Sequence, residues 1–397
     1  MHRTAIVCAV LAGFSLWAQP GPGRPPAPVR SPEVAADGQV TFRLRAPEAT
    51  QVFVTGLGDR LAMQKDEQGV WSVTTGALKP DIYTYSFSID GAAVTDPANP
   101  LVKSSYGSAG ASMVHVPGPV VWEPTDGPRG SVTHHFYHSA LIGDHRDYYV
   151  YTPPNYDPKR KDPYPVLFLL HGLGDDAAAW LNVGAANVIL DNLINQGKAK
   201  PMIMVNTLGY GNPEGPAGAM SATMIPTFAK ALVEEVMPQV EKAYHVSKDR
   251  NQRAIAGLSM GGAESIYTGM NYLDRFAWIG SFSGAFVMWP RANPTPPPAP
   301  GAGRGGRGPR KIETADIEKN LPNVSAKSNA QLRLLWIACG SDDGLLTVNR
   351  QLESWLKDKD VKFTFLEVPG YAHVWPLWRH NLAELAQLLF QPKGGSQ

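Results

Sequence analysis

Ser259 stands in Gly257-Leu258-Ser259-Met260-Gly261, directly behind the apolar run Arg253-Ala254-Ile255-Ala256 and ahead of a helical pattern at 262–272. On such a strand–turn–helix junction a serine occupies a sharp turn. The glycines let helix and strand approach closely, and the hydroxyl projects above the sheet edge. A serine hydroxyl is a weak nucleophile at its free pKa, so it needs a base within hydrogen-bond reach and a carboxylate to orient that base. Where an α/β sheet carries a nucleophilic serine on such a turn, the order along the chain is Ser, then Asp or Glu, then His. Downstream, the apolar run 334–338 ends in Cys339-Gly340-Ser341-Asp342-Asp343-Gly344, and the run 363–368 ends in Pro369-Gly370-Tyr371-Ala372-His373. Each group follows a strand, where open α/β sheets place their ligands. His373 is therefore the expected base. His380 is its rival, but it falls inside the amphipathic run 377–390. Asp342 and Asp343 are both candidates for the acid, since one of them could instead cap a helix starting near Leu345.

The tetrahedral intermediate of acyl transfer also needs donors for its oxyanion. The N–H of Met260, next after the nucleophile and at a helix N-terminus, is one. The other should come from an earlier strand-to-helix loop, and Leu169-Leu170-His171-Gly172-Leu173-Gly174-Asp175-Asp176 fits that role. Its glycines let a backbone N–H point into the site, and Leu173 is the expected donor. His171 lies beside Asp175 and Asp176, but no spaced His/Cys set accompanies it, so no metal is expected. The constellation requires no cofactor.

A sheet must hold these groups. After Ser131, strand-like stretches at 148–151, 166–170, 202–205, 254–256, 278–281, 334–338 and 363–366 alternate with helical patterns near 176–196, 221–243, 262–272, 347–359 and 377–390. Near-continuous apolar strands separated by helices imply a mostly parallel sheet covered on both faces, an α/β domain over residues 131–392. Ahead of it, alternation at 39–45, 51–54, 70–74 and 83–89, with turn signals such as Gly56-Leu57-Gly58 between, reads as a small β-sandwich over residues 31–117. Trp71 falls on one alternating strand and is expected in its core. The turn-rich stretch 118–130 reads as a linker. Residues 290–311, almost entirely Pro, Gly, Ala and Arg, read as a mobile surface insert that buries too little apolar surface to fold.

Composition narrows the function classes. The 397 residues suit about two domains, and 43% hydrophobic residues suffice for packed cores. A formal net charge of +1 argues against nucleic acid or an anionic membrane as the main partner. Residues 1–18 carry His2 and Arg3, an apolar run from Ala5 to Trp17, and Ala18 at the cleavage position, which is the pattern of a secretory signal. That run is too short to span a bilayer comfortably. Residues 19–30 read as a Pro/Gly-rich tether. With the signal removed Cys339 is the one remaining cysteine, a buried structural thiol by its apolar setting, so no intrachain disulfide is expected. The expected location is the periplasm or the cell exterior, with no membrane attachment after cleavage.

Four stretches together resemble a known group: GLSMGGAESIYTGMNYLDRFAWIGSFSG at 257–284, LLHGLGDDAAAW at 169–180, CGSDDGLL at 339–346 and GYAHVWPLWRHNL at 370–382. They resemble the esterase D-like α/β-hydrolases, and among these carbohydrate esterase family one, with its feruloyl, acetyl xylan and related enterochelin esterases. The resemblance implies the α/β-hydrolase fold and a serine esterase. Its acid stands third after the glycine of a G-x-x-D pattern, which selects Asp343 over Asp342. Its histidine precedes a tryptophan, as His373 precedes Trp375. Residues of about 32–117, through VTFRLRAPEATQVFV, GVWSVTTGAL, IYTYSFSIDG and DPANP, resemble the early-set immunoglobulin-like domain related to glycogen-binding modules. The implied substrate is a feruloyl ester on plant polysaccharide, with Trp375, Trp289 and Trp378 as an aromatic wall. An acetyl ester, an enterochelin-type ester, acyl transfer to a sugar, and a glycan-binding protein with a vestigial hydrolase are the other readings.

Overall fold

The computed structural model describes residues 28–106, 110–293 and 311–392. The expected signal 1–18, residues 19–27 of the expected tether and 294–310 of the Pro/Gly/Arg insert lie outside the described residues.

The front region forms two antiparallel sheets. One runs in the order Glu33–Val34, Val40–Arg45, Val70–Thr74, Gln64–Lys65; the other runs Leu61–Ala62, Val52–Thr55, Asp81–Ile89, Ala111–Val116, Val102–Lys103. Alternation places Val40, Phe42 and Leu44 of the first sheet against Val52, Val54, Tyr85 and Phe87 of the second in one core. Trp71 lies in that core and donates its indole N–H to the Ala46 carbonyl at 2.9 Å. The strand Ala111–Val116 does not alternate in the usual way, because Ser112, Met113 and Val114 are buried in succession. Val114 faces the front core, whereas Met113 packs into the core of the following domain. Burial on both faces erases the periodicity that would have announced this strand.

The second domain is built on eight strands: β1 Ser131–Ser139, β2 Asp144–Thr152, β3 Val166–Leu170, β4 Ile203–Thr207, β5 Arg253–Leu258, β6 Trp278–Phe282, β7 Leu334–Gly340 and β8 Thr364–Val368. Their spatial order is β1-β2-β4-β3-β5-β6-β7-β8; β1, β2 and β4 pair antiparallel and the rest pair parallel. Val166, Phe168 and Leu170 of β3 enter one hydrophobic core while Leu167 and Leu169 enter the other. Helices therefore cover both faces, which accounts for the unbroken apolar runs. Strand β1 escapes sequence reading because it is an edge strand whose Val132, His134, Phe136 and His138 face solvent.

Local departures have physical causes. The helical pattern at 176–196 divides into Ala179–Asn182 and Ala186–Asn195, with Ala185 in the left-handed region (φ 49°) between them. The pattern at 221–243 contains a π-helical turn at Leu232–Val236. A helix at Thr314–Asn320, unannounced beside the insert, anchors through buried Ile312, Ile317 and Leu321. The 118–130 stretch does not hang free: Asn192 donates to the carbonyls of Val121 (2.7 Å) and Glu123 (2.8 Å), and Trp122 is buried. The two domains are joined by fully buried Arg379 of the helix Trp375–Leu388. It pairs with Asp81 and donates to the carbonyls of Ile82 (2.9 Å) and Val183 (2.6 Å). No helix among the described residues is long and apolar enough to cross a membrane.

Candidate active site

Ser259 sits between β5 and the helix Met260–Asn271 at φ 53°, ψ −114°, a conformation side chains rarely adopt. Its backbone is held there from both sides: its N–H donates to the Phe282 carbonyl and its carbonyl accepts from Ala285 N–H, each at 2.8 Å. The flanking glycines are required by space. A Cβ on Gly257 would lie 2.5 Å from Gly261, and one on Gly261 would lie 2.5 Å from the His171 carbonyl.

His373, on the loop after β8, reaches Ser259 and Asp343 together. Its Nε2 lies 2.9 Å from Ser259 Oγ and its Nδ1 lies 2.8 Å from Asp343 Oδ2. Burial opposes ionisation of Asp343, but the His373 hydrogen bond and charge, the Leu345 N–H and the Ser283 hydroxyl outweigh it and lower its pKa. An ionised carboxylate accepts, so Nδ1 carries the proton and Nε2 is free to accept from the serine hydroxyl. The second carboxylate oxygen of Asp343 accepts the Leu345 N–H at 2.8 Å, so one residue both caps the turn and orients the imidazole. Asp342 is exposed and accepts from Ser341. His380 is exposed and packs edge-on to Trp122, away from Ser259.

Met260, as the first helical residue, has no intrahelical acceptor for its N–H. Leu173 lies on the loop after β3, bordering the same space as Ser259. The ring nitrogens of His171 are both engaged: Nδ1–H donates to the Gly172 carbonyl (2.8 Å) and Nε2 accepts from Gly209 N–H (2.9 Å). Burial lowers its pKa, which favours this neutral form. Among the described residues no group of three or more His, Cys, Asp or Glu side chains is placed to hold a metal.

Two lobes meet at Ser259, His373 and Leu173. One, of about 480 Å³, is walled by Trp375, Trp378 and Val374, and from the front domain by Leu57, Ile82 and Tyr83. The other, of about 650 Å³, is walled by Met220, Val287, Met288, Arg291 and Lys311. Trp289 lines neither. It is 2% exposed, packs on Phe286 and donates its indole N–H to Ala263 (3.0 Å), so the expectation that it contacts substrate is corrected: it is a core residue. That the front domain packs on the hydrolase and shapes the cleft is to be expected of such a module, but which of its residues form the wall has no sequence signal, since Gly56-Leu57-Gly58 reads only as a turn and Ser259 is far along the chain.

Beneath the site, Glu264 is fully buried and neither carboxyl oxygen has a partner among the described residues. Burial raises its pKa well above 4.5, against an opposing pull from Arg146. The folded chain therefore keeps a proton there that the unfolded chain releases above pH 4.5, and stability is lost as pH rises through the folded value. Urea unfolding of Glu264→Gln and wild type should show the variant's relative stability growing from about pH 4 to pH 7. A pH-independent difference would contradict this.

The family model Esterase matches residues 139–388. The endo-1,4-beta-xylanase/feruloyl esterase of Xylanibacter ruminicola is 29% identical over 371 residues, 91% of this chain and 46% of that protein. The endo-1,4-beta-xylanase Y of Acetivibrio thermocellus is 26% identical over 263 residues, 61% of this chain and 21% of that protein. The chain thus spans less than half the length of these curated relatives. Among solved structures, the enterobactin esterase of Shigella flexneri aligns with TM-score 0.65 at 19% identity over 89% of this chain and 93% of its own. A ferulic acid esterase of Anaeromyces mucronatus aligns with TM-score 0.52 at 23% identity over 69% of this chain and 96% of its own. These likenesses establish the α/β-hydrolase fold.

Proposed function

The chain belongs to the Esterase family, and from that premise we propose that it is a carboxylic ester hydrolase, an exported serine esterase that cleaves hydroxycinnamoyl esters of plant polysaccharide through an acyl-enzyme on Ser259. The observation that carries the mechanism is the hydrogen-bonded line from Ser259 through His373 to Asp343 at the junction of two lobes. Ser259 Oγ attacks the ester carbonyl as its proton passes to His373 Nε2. The N–H groups of Met260 and Leu173 bind the oxyanion. The imidazolium, steadied by Asp343, delivers the proton to the departing alkoxide. Water then enters, gives a proton to His373 and attacks the acyl carbon, and the imidazolium returns that proton to Ser259 Oγ as the acyl C–O bond breaks and the acid leaves.

Substrate class rests on the lobes. The smaller is lined by Trp375, Trp378 and Tyr83, aromatic surface suited to a flat aromatic acid. The larger, mostly apolar along Met220, Val287 and Met288 but carrying Arg291 and Lys311, is left to the alcohol side of the ester. The name of the Xylanibacter ruminicola relative supports this choice. Export is supported by the signal pattern of residues 1–18, and an immunoglobulin-like front domain by its two facing antiparallel sheets. A catecholate ester is the second reading, favoured by Arg291 and Lys311 in the larger lobe.

The test compares kcat/KM for methyl ferulate, p-nitrophenyl acetate, acetylated xylan and a catecholate ester. Wild type should prefer methyl ferulate to the catecholate ester. Trp375→Leu should lower the ferulate-to-acetate ratio of kcat/KM by about tenfold, since lost pocket contacts are worth roughly 1–3 kcal/mol. The ratio is independent of how much protein folds. An unchanged ratio, or preference for the catecholate ester, would reject the ferulate assignment.

A further inference from the structure

Leu173 is 48% exposed, so packing does not hold its backbone in place. Its turn does. Asp175 N–H donates to the Gly172 carbonyl at 3.1 Å, and Gly174 in the third position has φ +85°, the signature of a type II turn with Leu173 second. The direction of the Leu173 N–H therefore depends on what fixes Gly172 and Gly174. Gly172 is packed against Leu258 and Ser259. Gly174 is held at both polar atoms, and by different domains. Its N–H donates to Tyr210 Oη at 2.7 Å, from the hydrolase side. Its carbonyl accepts the N–H of Tyr106, from the front domain, at 3.0 Å.

The front domain grips the same loop twice more, and it also packs on Tyr210, which holds that loop. Lys103 Nζ pairs with the Asp175 carboxylate, the two side chains only 14% and 9% exposed. Ser104 Oγ donates to Asp176. The Tyr106 ring stacks on Tyr210 at 5.3 Å and 24°. Lys103 has an electrostatic consequence as well. Asp175 borders the same lobe as Ser259, and an unpaired carboxylate there would repel the negative charge that develops on the substrate oxygen.

We propose that the front domain completes the catalytic centre by locking the oxyanion turn, with Lys103 and Tyr106 as positioning residues that act through Leu173. This rests on the reading of Leu173 as an oxyanion donor, and the experiment separates the two. Lys103→Met and Lys103→Arg are assayed with p-nitrophenyl acetate in the full chain, with folding checked by near-ultraviolet circular dichroism. Lys103→Met should lose at least about tenfold in kcat with KM within about twofold, because small misplacements of a transition-state donor cost that much. Binding of phenylboronic acid, whose serine adduct is tetrahedral, should weaken in parallel. Lys103→Arg should recover most of both losses.

Leu173→Pro serves as the control, since proline suits the second position of this turn, keeps an apolar side chain there and removes the N–H. It should lose about a hundredfold, and Lys103→Met added to it should cost little more. Leu173→Pro with wild-type kcat would reject the donor assignment itself. A Leu173→Pro loss beside a Lys103→Met variant of wild-type kcat, or one whose boronate affinity is unchanged, would overturn the positioning role alone.

Discussion

Ser259→Ala is expected to lower kcat for p-nitrophenyl acetate by about 10⁶-fold, the loss typical when a triad nucleophile is removed. The size follows from the mechanism: without Oγ there is no acyl-enzyme, and neither the oxyanion donors nor the lobes can substitute for a covalent step. A residual rate of about 10³-fold over water should persist, carried by the donors and by binding. The fold should be indifferent. Among the described residues Ser259 makes one side-chain hydrogen bond, to His373, while its unusual backbone is fixed by main-chain bonds to Phe282 and Ala285. The midpoint of thermal unfolding should therefore stay close to wild type, which separates a chemical loss from a structural one.

Asp343→Asn should cost about 10⁴-fold in kcat for a different reason. Its Oδ1 can still accept the Leu345 N–H, so the turn survives. The amide then presents N–H₂ to His373 Nδ1, which turns the imidazole to the tautomer with its proton on Nε2. That nitrogen cannot accept from Ser259. Asp342→Asn, on the exposed neighbour, should leave kcat within about twofold, because the Asp342 carboxylate accepts from Ser341 and not from His373. Equal losses in the two variants would mean that the carboxylate acts through general charge rather than by fixing the tautomer.

The parts of this molecule that could be read from its residues share a physical property. Strands β3 and β5 to β7 are buried on both faces, so their apolar runs are long, and the chemistry-bearing loops follow directly from their ends. The glycines around Ser259 announce a close approach because no other residue fits there. What stayed hidden depends on contacts between segments remote in sequence. Ala111–Val116 lost its alternation because two domains bury its two faces, and β1 reads as polar because half of it faces water. Trp289 and Trp375 looked equivalent as aromatic residues near motif ends. Trp289 follows a short helical turn that carries it into the core, whereas Trp375 opens the helix that borders the cleft. The front-domain wall of Leu57, Ile82 and Tyr83, and the grip of Lys103 on Asp175, exist only once the domains dock through Arg379.

The most direct test of the account is covalent labelling with diisopropyl fluorophosphate, followed by peptide mapping. One adduct per chain should map to Ser259 and form in step with loss of esterase activity, and His373→Ala, lacking the base, should label far more slowly. Full activity after labelling, or an adduct on any other residue accompanying inactivation, would contradict it.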